Sequence, residues 1–190
     1  MRRLMGSVAV VAGLMALPGI ALAQGAPRHE FGVDVGLGLE SPSGGTTQIV
    51  LATPVDVRVG FVSASPLSWE GRLTLMYASR GFGNSAAYTL APDIQALYKL
   101  GPGKGPHGLL GTYLTAGAGL NFEDAPNGAG GTNSSVVFGI NGGIGDRLAW
   151  GGSPDAFRIE GFLGYNFKNT TIGMPGTLLV GVRVGLSFWH

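Results

Sequence analysis

The sequence predicts an all-β fold, an eight-stranded antiparallel up-and-down barrel that spans a membrane. The chain has 190 residues, which is enough for one domain. Charged residues make up only 12% of it, whereas an ordinary soluble domain has ~25%. Apolar residues alternate with polar residues or Gly along eight segments. After residue 23, no stretch of the chain contains the ~20 apolar residues that a membrane helix needs. Only helices and closed barrels span lipid.

Residues 1–23 have the features of a cleaved N-terminal signal peptide, so residues 24–190 are predicted to form the mature barrel domain. Two arginines precede an apolar run at residues 8–17, and residues 21–23 read A-L-A, an A-x-A cleavage site. An uncleaved membrane anchor is the alternative, but the run is short and Pro18 interrupts it. Cleavage gives the mature chain a net charge of −1 and leaves no basic patch that would indicate a nucleic-acid partner.

Strict alternation of apolar and polar positions identifies the eight strands. In the first strand, Phe31, Val33 and Val35 alternate with Gly32 and Asp34. The eight segments are residues 31–39, 49–61, 69–77, 88–98, 110–122, 136–145, 157–167 and 180–188. Their lengths match the roughly 10-residue strands of membrane barrels. No long stretch repeats at the i, i+3, i+4 spacing of a helix, which argues against a helical fold.

Two prolines, Pro54 and Pro92, lie inside the second and fourth segments. Proline removes a donor from the ladder of backbone hydrogen bonds, so in sheets it is confined to edges, strand ends and bulges. We therefore expect a bulge or a strand end at each proline, where the outward face can switch.

The links between segments alternate in length, and this alternation predicts the orientation of the barrel. Membrane barrels have short periplasmic turns and longer outer loops. The predicted turns are residues 63–66, 101–108 and 151–155, and the predicted outer loops are residues 41–48, 79–86, 123–133 and 168–176. Both termini are then periplasmic.

Alternation alone does not separate a membrane barrel from a soluble lipocalin-like barrel, because the two expose opposite faces. The polar face is rich in Gly and poor in charge, whereas a soluble exterior would carry many Lys and Glu. Aromatic residues lie at the strand ends of the apolar face, as in the girdles of membrane barrels. The predicted periplasmic girdle is Phe31, Trp69, Tyr98, Phe157 and Phe188, and the predicted outer girdle is Tyr77, Tyr88, Phe122, Tyr165 and Phe167. Both features favour lipid outside.

Charged residues of the polar face are predicted to pair across neighbouring strands. If the second and third strands form a hairpin centred on Ala64, Arg58 faces Glu70 and Asp56 faces Arg72. Opposite charges at facing positions stabilise a sheet. Inside a narrow barrel an unpaired buried charge is strongly unfavourable, so such pairs matter more there.

The same reasoning adds charged residues from three further strands. With the third and fourth strands paired around Phe82, Arg72 also faces Asp93, and in the last hairpin Glu160 faces Arg183. The predicted interior structural charge network is Asp56, Arg58, Glu70, Arg72, Asp93, Glu160 and Arg183. Because side chains just fill the interior of an eight-stranded barrel, we predict a plugged interior and no large constitutive channel.

Three segments carry a family resemblance: YLTAGAGLNF at 113–122, FRIEGFLGYNF at 157–167 and VGVRVGLSFW at 180–189. Together with the eight-strand pattern, they make the mature chain similar to small outer-membrane proteins of the OmpA and OmpX type, in the family of OMP β-barrel domains. The resemblance implies a porin-like fold in the cell outer membrane, surrounded by membrane lipid. It also implies insertion by the barrel-assembly machinery, which reads an aromatic residue at the chain end. Here Trp189 is followed by His190, which departs from that pattern.

The sequence contains no pattern of catalytic residues, metal ligands or cofactor-binding residues. None of the three His residues has a neighbouring Ser or carboxylate arranged for nucleophilic catalysis. Glu123 and Asp124 are adjacent acids in a predicted loop, where such acids are usually solvated. Gly-rich residues 101–108 and 142–147 lack the spacing of a phosphate-binding loop. We therefore expect no catalytic residues, no cofactor and no metal.

The leading functional hypothesis is an outer-membrane barrel with a structural or surface-interaction role and no catalytic activity. A surface ligand would bind the outer loops, because loops on a rigid scaffold commonly carry recognition. Arg80 and Phe82 are their most distinctive side chains. The alternatives are a secreted soluble lipocalin-like barrel that binds an apolar ligand, a lipid-modifying barrel enzyme and a narrow channel.

Overall fold

A computed structural model of the chain describes residues 28–45, 47–50, 55–62, 65–78, 87–104, 108–127, 131–151, 155–170 and 175–189. These residues form β1 (Arg28–Pro42), β2 (Gln48–Val50), β3 (Val55–Val62), β4 (Leu67–Ala78), β5 (Ala87–Lys99), β6 (Gly111–Asn127), β7 (Gly131–Ala149), β8 (Ala156–Asn166) and β9 (Thr177–Trp189). A search of these ranges finds no helix that is long and apolar enough to cross a membrane. The predicted signal peptide, residues 1–23, lies outside the described residues and stays a prediction.

The strands form one closed sheet in which every neighbouring pair is antiparallel. Strand order follows chain order from β3 to β9, and β1 pairs with β9, which closes the barrel. Both β2 and β3 pair with β1, so they are two parts of the second barrel strand. The fold is therefore all-β, a closed eight-stranded up-and-down barrel, and the predicted fold class is confirmed.

The strand register determines the tilt and width of the barrel. A path through directly paired residues leaves β1 at Glu30 and returns to β1 at Glu40, ten residues further along. The path runs through Gly60, Glu70, Gln95, Gly117, Asn141, Gly164 and Leu179. Eight strands with this stagger tilt by about 40° and enclose an interior that side chains can fill. We call the end where β1 begins and β9 ends the base, and the opposite end the rim.

Pro92 lies within β5 and neither ends the strand nor shifts its register, so the expected bulge or strand end is wrong at this position. Pro92 pairs with Leu73 of β4, and the offset between β5 and β6 is the same on both sides of it. Pairing to β6 skips only Ala91 and Pro92. The missing backbone donor of Pro92 therefore interrupts the strand pairing only locally, and the outward face of β5 does not switch.

The register of the second barrel strand changes between its two parts. Val35 of β1 pairs with Val55, whereas Gly38 of β1 pairs with Val50. The numbers of paired residues therefore sum to 90 at Val55 and to 88 at Val50, a register shift of two residues. The residues between Val50 and Val55 include Pro54, which is outside the described residues, so the structural effect of that proline stays a prediction.

Most of the third predicted outer loop is strand, which corrects the prediction for residues 123–133. β6 continues to Asn127 and β7 begins at Gly131, and these two residues pair with each other. A two-stranded hairpin needs only cross-strand backbone hydrogen bonds, so it can form from residues that show no apolar alternation.

Candidate functional site in the barrel interior

The two faces of the strands have opposite character, and the apolar face is outside. In β1, Phe31 and Leu37 are 44% and 53% exposed, whereas Glu30 and Asp34 are 1% and 2% exposed. Other exposed residues on the outer surface include Leu75, Ile94, Leu114, Ile144, Leu163 and Val182. Most of the fully buried side chains are charged or polar. A soluble ligand-binding barrel has the reverse arrangement, with its apolar face inside.

Aromatic side chains lie on the outer surface near both ends of the barrel. The exposed aromatic residues near the base include Phe31, Trp69, Tyr98 and Trp150. Near the rim, the rings of Phe138 and Phe167 stack with centroids 5.7 Å apart. The side chains of two predicted members of the outer girdle, Tyr77 and Tyr88, lie outside the described residues. The described part of the surface therefore has aromatic residues at both levels where girdles were predicted.

Arg58 of β3 is the centre of the ion pairs nearest β1. Its Nε and Nη2 donate to the two carboxylate oxygens of Asp34 at 2.5 and 3.0 Å, and its Nη1 donates to Glu30 Oε1 at 2.7 Å. Nη2 also donates to Ser187 Oγ of β9 at 3.0 Å. Arg58 is 0% exposed, so these bonds replace its lost hydration, and the bidentate pairing with Asp34 holds the guanidinium in one orientation.

A second group of ion pairs joins β4 to β8 across the lumen. Arg158 donates to Glu70 Oε2 and to Glu160 Oε2, both at 2.6 Å. Arg72 Nη2 donates to Glu70 Oε1 at 3.0 Å and to Glu160 at 3.2 Å. The Tyr113 hydroxyl of β6 accepts a hydrogen bond from Arg158 Nε and donates one to Glu160. Each charge therefore has partners on more than one strand.

The predicted register of the second and third strands is wrong by two residues. Arg58 lies directly opposite Arg72, and Asp56 lies opposite Thr74. Arg58 Nη1 still contacts Glu70 Oε2 at 3.4 Å along a diagonal. Two arginines can face each other here because each bonds acids on other strands. In a narrow lumen a charged side chain can therefore reach partners on any strand around it, and not only those on the neighbouring strand.

The other two predicted pairings have the expected register. Arg72 lies opposite Asp93, and Glu160 lies opposite Arg183. Arg183 Nη1 approaches Glu160 Oε1 at 3.4 Å, and its Nε approaches Asp56 Oδ2 at 3.3 Å. Asp93 is the exception among the predicted residues, because it forms no ion pair with any described residue.

Five residues of these clusters were absent from the predicted set: Glu30, Asp34, Tyr113, Arg147 and Arg158. All five occupy inward-facing positions by the same alternation that identified the strands. Glu30 lies one residue before the first predicted segment, and Arg147 lies two residues after the sixth. Longer strands would have included both. Arg147 Nη2 donates to Glu30 Oε2 at 2.7 Å, so the two omitted ends of these strands meet.

Inward-facing glycines make room for the large side chains of these clusters. A Cβ atom at Gly32 would overlap the guanidinium of Arg58, and one at Gly145 would overlap the hydroxyl of Tyr113. A Cβ atom at Gly185 would overlap the carboxylate of Asp34. The Gly-rich polar face is therefore a packing requirement of an eight-stranded barrel whose interior contains several arginines.

Apolar side chains cluster at the base of the barrel. Val62, Leu109 and Trp189 are 4%, 7% and 8% exposed and pack together. The guanidinium of Arg147 lies 4.8 Å from the ring centroid of Tyr113 and 5.4 Å from that of Trp189. The last strand therefore ends with a tryptophan that points inward and contributes to this cluster.

No group of three or more His, Cys, Asp or Glu side chains is placed to hold a metal in the described ranges. His29 is exposed near the base, and its ring packs edge-on against Phe61 with centroids 5.3 Å apart. His107 and His190 lie outside the described residues.

Comparison with solved structures identifies proteins of similar fold. Ail, the attachment invasion locus protein of Yersinia pestis, solved with the heparin analogue sucrose octasulfate, matches with a TM-score of 0.54 at 11% identity, over 85% of this chain and 99% of that chain. Neisserial surface protein A matches with a TM-score of 0.59 at 16% identity, over 84% of this chain and 97% of that chain. No family model and no curated protein matches the sequence. The fold is that of the small eight-stranded outer-membrane barrels.

Proposed function

We propose that this protein is an outer-membrane β-barrel with a structural or surface-interaction role and no catalytic activity, and that its charge network plugs the lumen. The apolar exterior carries the proposal. Large apolar side chains are exposed on every side of the closed sheet, from Val35 of β1 to Val182 of β9. Soluble monomers rarely expose a continuous apolar surface of this extent, whereas a membrane barrel needs one to face lipid.

The plug is proposed from the burial and connectivity of the arginines. Arg58, Arg72 and Arg158 are 0–1% exposed and bond acids on other strands. Together with Tyr113, they fill the cross-section of a barrel that has little interior volume. We expect the filled cross-section to prevent a large constitutive channel.

Export and insertion complete the proposed role. Residues 1–23 would direct the chain out of the cytoplasm as a cleaved signal peptide. The barrel-assembly machinery would then insert residues 24–190, with Phe188 and Trp189 as the aromatic end of the last strand. The His190 that follows is accommodated if the machinery reads the strand and not the final residue alone.

For the interaction role, we propose the rim loops as the binding surface. Loops on a rigid barrel can vary without disturbing the fold, and the structural neighbour Ail was solved with a heparin analogue. For this chain we propose only that these loops bind a surface ligand.

Cell fractionation followed by electrophoresis with and without boiling tests the membrane barrel. We expect the protein in the outer-membrane fraction and a band that shifts on boiling, because folded membrane barrels resist detergent. A soluble periplasmic or secreted protein with no shift would overturn the proposal and favour the lipocalin-like alternative. Conductance of reconstituted liposomes tests the plug separately, and porin-sized currents would contradict it. Altered lipid A on overexpression would instead favour a lipid-modifying enzyme.

A further inference from the structure

Four buried polar atoms without a hydrogen-bond partner belong to inward-facing residues beside the ion pairs. They are Asp56 Oδ1, Arg72 Nη1, Asp93 Oδ1 and Gln95 Oε1. Their residues are on the adjacent strands β3, β4 and β5. Arg72 lies opposite Asp93, and Asp56 lies opposite Thr74, the next inward-facing residue after Arg72. An unpartnered buried polar atom is unfavourable, so this cluster indicates a site for a bound species.

Asp93 differs in its pairing from the carboxylates that surround it in the lumen. Five of these form ion pairs of 3.4 Å or less, namely Glu30, Asp34, Asp56, Glu70 and Glu160. Asp93 forms none with a described residue, although Arg72 faces it. The reason is that Nε and Nη2 of Arg72 are directed to Glu70 and Glu160. The negative charge of Asp93 is therefore not neutralised by a direct ion pair.

Gln95 provides a further oxygen, one inward-facing position nearer the base than Asp93. The residue is 1% exposed, and its amide reaches into the lumen, where Nε2 donates to Asn141 Oδ1 of β7 at 2.7 Å. This bond engages the nitrogen and leaves Oε1 without a partner. Gln95 and Asp93 are two residues apart on the same face of β5, so their side chains are neighbours.

The neighbouring strand has glycine, and therefore no side chain, beside Asp93 and Gln95. Gly119 and Gly117 of β6 lie opposite Asp93 and Gln95. A Cβ atom at Gly119 would lie 2.6 Å from Asp93 Cβ, and one at Gly117 would lie 2.6 Å from Gln95 Cγ. β6 therefore extends no side chain across the cluster.

The path from the rim to this cluster favours positive charge. The inward-facing residues of β1 on this path are Gly36, Gly38 and Glu40. No Lys or Arg occupies a described inward-facing strand position on the rim side of Arg72 and Arg183. An acidic lumen with low-dielectric walls concentrates cations.

We propose that the rim side of the plug is a binding site for a hard cation, coordinated by carboxylate oxygens of Asp93 and Asp56 and by the amide oxygen of Gln95. Carboxylate and amide oxygens are the ligands of Ca²⁺ and Mg²⁺, and Ca²⁺ accepts irregular oxygen sets completed by water. With two carboxylates and an arginine nearby, the site is weak, and we expect a Kd of about 10⁻⁴–10⁻³ M. The inference goes beyond the structural or surface-interaction role and does not depend on a surface ligand.

Thermal unfolding of the full mature chain in dodecylmaltoside tests this site, because the uncharged detergent binds no divalent cation. CaCl₂ is titrated at constant ionic strength against choline chloride, and calorimetric titration with CaCl₂ provides a direct readout. We expect the unfolding midpoint to rise and saturate with Ca²⁺. Asp93→Asn should abolish both the rise and the binding heat. In choline chloride this variant should unfold no earlier than the wild type, since it removes a charge that has no ion-pair partner.

Glu40→Gln is the matched control. It makes the same change of charge in the same lumen, outside the cluster, and should leave the calcium response intact. A wild type without binding heat or midpoint shift would overturn the proposal, as would an Asp93→Asn variant that retains them. An Asp93→Asn variant that unfolds earlier in choline chloride would assign Asp93 a structural role instead. The heat-shifted band tests the membrane barrel independently, so failure of one proposal is distinguishable from failure of the other.

Discussion

The base half and the rim half of the lumen share the same eight strands but are filled differently. Toward the base, the inward positions contain Arg58, Arg158 and their acid partners, all of them buried. Toward the rim, β1 continues with Gly36 and Gly38, and β8 continues with Phe162 and Gly164. A buried charge requires several correctly placed partners, whereas Gly requires none. The base half is therefore held in its structure by correctly paired side chains, whereas the rim half is held mainly by the backbone pairing of the strands.

In the described part of the rim half, the polar contacts across the lumen are sparse and join neutral groups. Asn121 donates to Asn166 at 2.9 Å across the lumen between β6 and β8. At the boundary, the guanidinium of Arg183 lies 4.1 Å from the ring centroid of Phe162. Hydrogen bonds between neutral groups are weaker than those between charged groups. We therefore expect substitutions in the base half to cost more stability than substitutions in the rim half.

The largest effect is expected from Arg58→Ala. Among the described residues, the change removes the one ion-pair partner of Asp34 and one of the partners of Glu30. Leaving buried carboxylates uncompensated should lower the free energy of unfolding by about 3–5 kcal/mol. Urea unfolding in detergent micelles measures this loss.

Arg183→Ala is the matched control for Arg58→Ala. Arg183 is 11% exposed, its partner Glu160 keeps Arg72 and Arg158, and its contact with Asp56, at 3.3 Å, is longer than the bonds of Arg58 to Asp34 and Glu30. We expect a clearly smaller loss of stability. Equal losses for the two variants would contradict the expectation that substitutions in the base half cost more stability than substitutions nearer the rim.

A smaller effect is expected from Gly145→Ala. The added methyl group would overlap the Tyr113 hydroxyl, which joins Arg158 to Glu160. Overpacking of this kind should cost about 1–3 kcal/mol of unfolding free energy. The rim-half control is Gly164→Ala, where the nearest atom is 3.6 Å from the new Cβ, an ordinary contact. If the two alanine substitutions destabilise the barrel equally, the inward-facing glycines are not required to make room for the charged side chains.

The smallest effect is expected from Asn121→Ala in the rim half. It removes one neutral hydrogen bond, and the loss should be about 1 kcal/mol. A double-mutant cycle with Asn166→Ala isolates the interaction between the two amides. A coupling energy as large as that between Arg58 and Asp34, measured in the same way, would remove the distinction between the two halves.

Most of the architecture was predictable from local pattern. Alternation identified all eight barrel strands and their outward faces, because a strand that separates lipid from a polar interior must change character at every residue. Asp34 and Arg158 were already on predicted inward faces. The pattern was weakest where alternation stops, which is why β6 and β7 extend further than predicted. The expectation for Pro92 is wrong because a ladder can skip two pairs and keep its register.

The sequence by itself determined the number of strands, the apolar exterior and the presence of many charges inside. Only the tertiary structure decided which charges pair. Closure brings β1 beside β9 and places β4 across a narrow lumen from β8, so Arg58 reaches Ser187 and Arg72 reaches Glu160. These contacts span more than eighty residues of chain. They depend on the stagger of all eight strands together, and a pattern read along one strand or one hairpin does not contain that stagger.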